Sequence, residues 1–90
     1  MYVSILGKRW RLRFCEFEDG SQMGECDSPD TTRKEIRIRN DLRGKQKLDT
    51  LLHELRHAAD WGQSEEFVAE EATQVANILW RLGLRWSNED

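Results

Sequence analysis

The chain has 90 residues and a formal net charge of −3, with 38% hydrophobic and 34% charged residues. This length predicts one small domain over residues 1–90 with a core of limited size, and the acidic balance argues against a general nucleic-acid-binding protein. No apolar run approaches the ~20 residues that a membrane span needs, and the N-terminus lacks the apolar segment of a signal peptide. We therefore expect a cytoplasmic protein.

Residues 1–39 predict a small antiparallel sheet of three strands. The first two, over 2–6 and 9–14, are separated by a turn at residues 7–8, where Gly7 can supply a positive φ. Apolar and charged side chains alternate in 9–14 and again in 33–39, so one face should be buried and the other charged. The outward positions are Arg9, Arg11, Arg13, Arg37 and Arg39. The polar segment 18–32 predicts a loop, with a partly ordered piece at 23–26.

Two helices are predicted after the sheet, which makes the expected fold α+β. The first covers 45–61, where leucines and alanines recur at intervals of three and four residues (Leu48, Leu51, Leu52, Leu55 and Ala58 or Ala59). The second covers 64–82, with Ser64 as N-cap and Gly83 at the C′ position. Its predicted apolar stripe consists of Val68, Ala72, Val75, Leu79 and Leu82. Residues 84–90 predict a short tail in which Trp86 docks on the core.

The first helix carries both histidines of the chain, His53 and His57, with Glu54 directly after the first. Residues i and i+4 lie one turn apart on the same side of a helix, so both imidazoles can bind one Zn²⁺ ion at about 2.0–2.1 Å. Glu54 lies roughly 100° further round the helix, beside the metal rather than on it. This HExxH spacing predicts two ligands and a general base from a single turn.

A catalytic zinc usually takes three protein ligands, and the chain has no third histidine. The third ligand should therefore be a carboxylate or, as the alternative, a cysteine. The acidic candidates after the motif are Asp60, Glu65, Glu66, Glu70 and Glu71. On a helical wheel Glu65 and Glu71 flank the predicted buried face, and Glu65 is preferred because it lies nearest the first helix. Asp60 is better placed to orient an imidazole than to bind metal.

The run over residues 48–58 reads Leu-Asp-Thr-Leu-Leu-His-Glu-Leu-Arg-His-Ala and is similar to the active helix of SprT-like proteases. Those proteins place an HExxH helix after a small antiparallel sheet. The helix that follows resembles that of ImmA/IrrE-like peptidases, in which a glutamate on this helix completes the metal site. The resemblance implies a minimal zincin-type metallopeptidase acting on protein or peptide substrates, with His53, His57 and Glu65 as ligands and Glu54 as general base. The sequence lacks their zinc-ribbon and helix-turn-helix segments, which indicates a minimal form such as those found in phage or bacterial genomes.

The sequence leaves three other interpretations open. The outward arginines could contact nucleic-acid phosphates, and the SprT resemblance implies proteases that act on DNA-bound proteins. A non-catalytic module, in which zinc only stabilises a small core, is the second; in it Trp61, Trp80 and Trp86 could form a partner surface. In the third, Cys15 and Cys26 join the two histidines in a structural Cys₂His₂ site, although two thiols are the expected state in a reducing compartment.

Overall fold

The computed structural model describes residues 1–87; positions 88–90 of the predicted tail lie outside the described residues. The strands are β1 (Tyr2–Ile5), β2 (Lys8–Cys15), β3 (Gly24–Cys26) and β4 (Glu35–Arg39), and the helices are α1 (Gly44–Ala59) and α2 (Glu65–Arg81). The class is α+β, as predicted. The prediction of a three-stranded antiparallel sheet is wrong, because the sheet has four strands in the order β1-β2-β4-β3.

The sheet is mixed because β2 and β4 run parallel, whereas β1 pairs with β2 and β3 pairs with β4 in antiparallel fashion. A parallel pair needs a crossover of a dozen or more residues, and the segment predicted as a loop over 18–32 is long enough to provide it. Within that segment the chain forms β3 at the far edge of the sheet before it returns as β4. With three residues, β3 is too short for an alternating pattern to reveal it.

The β1–β2 turn consists of Leu6 and Gly7, since Ile5 pairs with Lys8. Both turn residues have positive φ, 49° for Leu6 and 79° for Gly7. A two-residue loop of this kind corresponds to the type I′ turn, which matches the twist of the flanking strands. The turn therefore lies one residue earlier than the predicted position at 7–8.

One face of the sheet packs against α1 and forms the core, in which Trp10, Ile36 and Ile38 are fully buried. Phe14 lies on the same face by alternation but remains 41% exposed. Its ring instead meets Trp86 edge-on, with centroids 6.3 Å apart. Trp86 docks as predicted, and its Nε1 donates to the Gly44 carbonyl oxygen at 3.0 Å.

Helix α2 packs on α1 through Val68, Ala72 and Ala76, which are all buried. The predicted stripe is wrong at two of its positions, because Val75 is 37% exposed and Leu82 is 78% exposed. The buried residues are four apart, so the contact face centres about 40° from Val68 on the helical wheel rather than on Val68 itself. Among the described elements α2 packs mainly on α1, so a narrow line of small residues suffices to bury its inner side.

The start of α2 is determined by a local N-cap hydrogen bond. The Ser64 side chain accepts a hydrogen bond from the Phe67 backbone nitrogen at 3.2 Å, as expected of an N-cap.

Among residues 1–87, neither helix combines the length and the apolar content that crossing a lipid bilayer requires.

Candidate metal centre

The two histidines converge on one side of α1. Their Nε2 atoms lie 3.2 Å apart, and the side chains are only 19% and 16% exposed for His53 and His57. Two nitrogens that bind one tetrahedral zinc at about 2.0–2.1 Å would be about 3.3–3.4 Å apart. The observed spacing therefore suits a single ion shared by both rings.

Glu65, in the first turn of α2, directs its carboxylate at both imidazoles. Its Oε1 lies 2.8 Å from His53 Nε2, and its Oε2 lies 2.7 Å from His57 Nε2. The contact face of α2 centres about 40° from Val68 and Glu65 falls near 60° on the same wheel, so Glu65 points towards α1. The ligand atoms of these three residues all lie within 4.8 Å of one another. This His-His-Glu group could hold a metal ion.

The other candidate ligands lie elsewhere within residues 1–87. Glu71 pairs with Arg56, with Oε1 3.0 Å from Nε, and Glu66 and Glu70 are exposed. Asp60 is the exposed C-cap of α1, and no hydrogen bond links its carboxylate to either imidazole in the described residues. These four acids do not belong to the metal-binding group.

The two cysteines are free thiols and do not belong to that group either. Burial, with the negative charges of Glu54 and Asp27 adding to it, raises the pKa of Cys26 to about 12. A metal ligand must be a thiolate, so this environment disfavours Cys26 as a ligand. The described residues hold no Cys₂His₂ group.

Glu54 lies between the histidine pair and the sheet. Its residue is 8% exposed, and its carboxylate makes no hydrogen bond to any residue in 1–87. Burial raises its pKa to about 7, and the nearby charges of Glu65 and Glu25 act in the same direction. A carboxyl group that changes protonation near neutral pH can both take up and release a proton there.

Gly24 of β3 permits this position of Glu54, and the sequence alone gave no signal for it. A Cβ on Gly24 would lie 3.0 Å from Glu54 Oε2 and 2.9 Å from Thr50 Cγ2. Only a residue without a side chain allows β3 to approach α1 this closely. In the primary sequence Gly24 is one of two glycines in the polar segment 18–32, so nothing distinguishes it from a turn glycine.

A cavity of about 440 Å³ opens on the same residues. Met23 and Gly24 line it from the β3 side, His53 and Glu54 from α1, and Glu65 from α2. Since β3 ends the strand order, its outer edge pairs with no other strand of the described residues. The cavity thus brings together His53 and Glu65 of the metal-binding group, a buried carboxyl and a sheet edge.

The outward arginines do not form one continuous basic strip. Arg37 binds Asp27, with Nη2 2.7 Å from Oδ1, and Glu35, with Nη1 3.0 Å from Oε1. Arg39 binds Asp41 at 2.9 Å and donates to the Gly20 carbonyl oxygen at 2.6 Å. Glu35 also pairs with Arg11 at 3.4 Å and with Arg13 at 3.5 Å. Acids of the same face therefore neutralise the arginines of β4 and two of those of β2.

No protein-family model, no curated protein and no solved structure matches this chain.

Proposed function

We propose that this protein is a zinc-dependent metallopeptidase that hydrolyses peptide bonds. His53, His57 and Glu65 bind the metal in this proposal, and Glu54 is the general base. The observation that carries it is the 3.2 Å separation of the two imidazole nitrogens, closed by Glu65 and flanked by the buried Glu54. Two imidazoles and a carboxylate form a donor set that suits zinc.

The chemistry divides between the metal and one side chain. When bound, zinc supplies Lewis acidity, which polarises a carbonyl group and makes water more acidic. Glu54 accepts the proton of the attacking water and donates it to the leaving amine. Burial, which raises the pKa of this carboxyl, makes Glu54 a stronger proton acceptor and so supports the first transfer.

The edge of β3 supports a peptide as the substrate class. An extended chain can add to an exposed strand edge through main-chain hydrogen bonds, and its side chains then alternate towards and away from the adjoining surface. The outer edge of β3 borders the cavity at Met23 and Gly24. A peptide aligned there would carry its backbone past Glu54.

The test compares the parent protein with Glu54→Gln, which keeps the shape of the side chain and removes the base. We expect equal zinc content by elemental analysis and a fall in the cleavage rate of an unfolded protein substrate by about 10²–10⁴-fold. Glu66→Gln, an exposed acid on the other side of α2, is the matched control and should retain both properties. A Glu54→Gln variant that cleaves as fast as the parent, or a parent that binds no zinc, would overturn the proposal.

A second candidate function, a non-catalytic module that contacts nucleic acid, has one observation in its favour. A cavity of about 450 Å³ on the outer face is lined by four cationic residues and one acid (Arg9, Arg11, Arg33, Lys34 and Glu35), together with Tyr2. The Arg9 guanidinium lies 4.0 Å from the centre of the Tyr2 ring. Cationic side chains and an exposed aromatic ring are what single-stranded nucleic acid contacts.

Titration of a labelled single-stranded DNA oligonucleotide tests this second function. Replacing Arg9 or Lys34 by alanine should weaken binding and lower the salt slope by about one unit each. Arg81→Ala is the control, because Arg81 lies at the end of α2 and does not line this cavity. Absence of binding at low salt would reject the function.

A further inference from the structure

The cavity at the metal centre continues along the groove between α1 and α2. Asp49 lies one turn before His53, about 6 Å away along the helix axis, and Thr73 lies two turns after Glu65. Both residues line the same cavity as His53 and Glu65 of the metal-binding group. Thr73 Oγ1 donates a hydrogen bond to Asp49 Oδ2 at 2.8 Å, which fixes the carboxylate at this end of the groove.

Small side chains keep the groove open between its two ends. Ala69 lies midway between Glu65 and Thr73 on α2 and also lines the cavity. The hydrogen bond from Thr73 occupies one oxygen of Asp49, and no other hydrogen bond to its carboxylate occurs within residues 1–87. The second oxygen can therefore accept a hydrogen bond from a ligand.

At the end away from the proposed zinc, the groove presents an acid and no basic side chain. Three acids line the cavity, Asp49, Glu54 and Glu65, and no lysine or arginine does. Glu54 is 8% exposed and has no hydrogen-bond partner in the described residues. Zinc would offset the charge of Glu65, whereas the charge of Asp49 stays uncompensated by any basic residue of the lining and attracts a cationic ligand.

We propose that Asp49 determines the specificity of this site by binding the cationic side chain of a substrate residue next to the cleaved bond. The inference rests on the proposed peptidase function and names its substrate class as peptides with lysine or arginine at that position. The four-carbon stem of lysine can cover the ~6 Å from the metal centre to Asp49 along the groove. Its ammonium then forms a charge-assisted hydrogen bond with the free oxygen of Asp49.

Binding measurements on the catalytically impaired Glu54→Gln protein, loaded with zinc, test this subsite without relying on turnover. The probes are three fluorescent peptides that are identical except for lysine, norleucine or glutamate at one central position, and the readout is fluorescence anisotropy. We expect the lysine peptide to bind at least about tenfold more tightly than the norleucine peptide, which has the same stem but no charge. The glutamate peptide should bind most weakly.

Four further substitutions in the same background separate recognition from packing. Asp49→Asn should abolish the preference for lysine, and Ala69→Leu should weaken lysine-peptide binding by filling the groove while Asp49 is kept. Thr73→Val removes the hydrogen bond that fixes Asp49 but keeps its charge, so the preference for lysine should become smaller without being abolished. Glu66→Gln removes one charge outside the groove and should change nothing. Circular dichroism confirms that each variant is folded.

The possible results separate this inference from the proposed function. Equal affinity for the lysine and norleucine peptides in the Asp49 protein, or a preference for lysine that survives in Asp49→Asn, would overturn the subsite. Cleavage of the same peptides by the parent protein tests hydrolysis independently. Selective binding of the lysine peptide without any cleavage would uphold the subsite and reject the peptidase, and cleavage without selectivity would do the opposite.

Discussion

Gly24 fixes the distance between the sheet and the helix that carries the two histidines. A Cβ at this position would approach Thr50 Cγ2 to 2.9 Å and Glu54 Cγ to 3.0 Å. Thr50 and Glu54 are both buried, so a side chain at Gly24 must displace either Glu54, the proposed general base, or the strand. The proposed activity therefore depends on a residue that has no functional group.

Gly24→Ala should lower the free energy of unfolding by about 1–3 kcal/mol, as is typical of overpacking. Peptide hydrolysis should fall further than zinc content, because the displaced group is Glu54 and not a ligand. Urea denaturation, elemental analysis and a cleavage assay measure the three quantities. Gly20→Ala in the same segment is the control, since nothing lies within 4 Å of a Cβ there; a Gly24→Ala protein as stable and active as that control would contradict the prediction.

The β1–β2 turn holds Leu6 in a backbone conformation that a branched residue disfavours, and a substitution can relieve this strain. Leu6 has a φ of 49° and is 79% exposed. Type I′ turns favour Asn-Gly because asparagine tolerates positive φ better than branched residues do. Leu6→Asn should raise the free energy of unfolding by about 0.5–1 kcal/mol, a rise in Tm of roughly 2–8 °C for a domain of this size. Thermal denaturation measures it, with Lys8→Asn as control, and an unchanged or lower Tm would disprove the effect.

The β3–β4 pair is held by Asp27, whose pKa lies below its ordinary value of 3.8 chiefly because of its hydrogen bonds to Arg37. A carboxylate with a lowered pKa in the folded state stabilises the fold above the unfolded pKa, and this contribution is lost as the pH falls through the folded value. Asp27→Asn should therefore lower stability at pH 7 and flatten its loss between about pH 5 and pH 2. Urea denaturation at several pH values tests this, and Asp30→Asn should keep the pH dependence of the parent.

Elements with a strong local signal were predicted from the sequence, and those defined by distant contacts were not. His53 and His57 at i and i+4, and the Ser64 cap, depend only on helix geometry. The parallel pairing of β2 with β4 depends on where the chain returns after some twenty residues, which no local pattern encodes. The stripe of α2 shifted for a related reason: the position of α1 selects Ala72 and Ala76 over the larger Val75.

For the whole molecule, the proposed metal joins the two helices as well as supplying chemistry. His53 and His57 belong to α1 and Glu65 to α2, so binding in the folded state alone adds to the free energy of unfolding. Free zinc at a hundredfold excess over Kd should add about 2.7 kcal/mol, which corresponds to a rise in Tm of roughly 10–20 °C. Calorimetry with and without a chelator measures this rise. His57→Ala should abolish it, and a Tm that ignores zinc in the parent would count against the site.

The hydrogen bond between Trp86 and Gly44 joins positions 42 residues apart in the chain. Lys47 covers the indole, with Nζ 4.1 Å from the ring centre. Trp86 therefore contacts the first turn of α1. His53, His57 and Glu65 of the metal-binding group all lie in the chain segment between Gly44 and Trp86, whose ends this hydrogen bond joins. Because Trp86 follows the end of α2, this contact joins the segment after α2 to the first turn of α1.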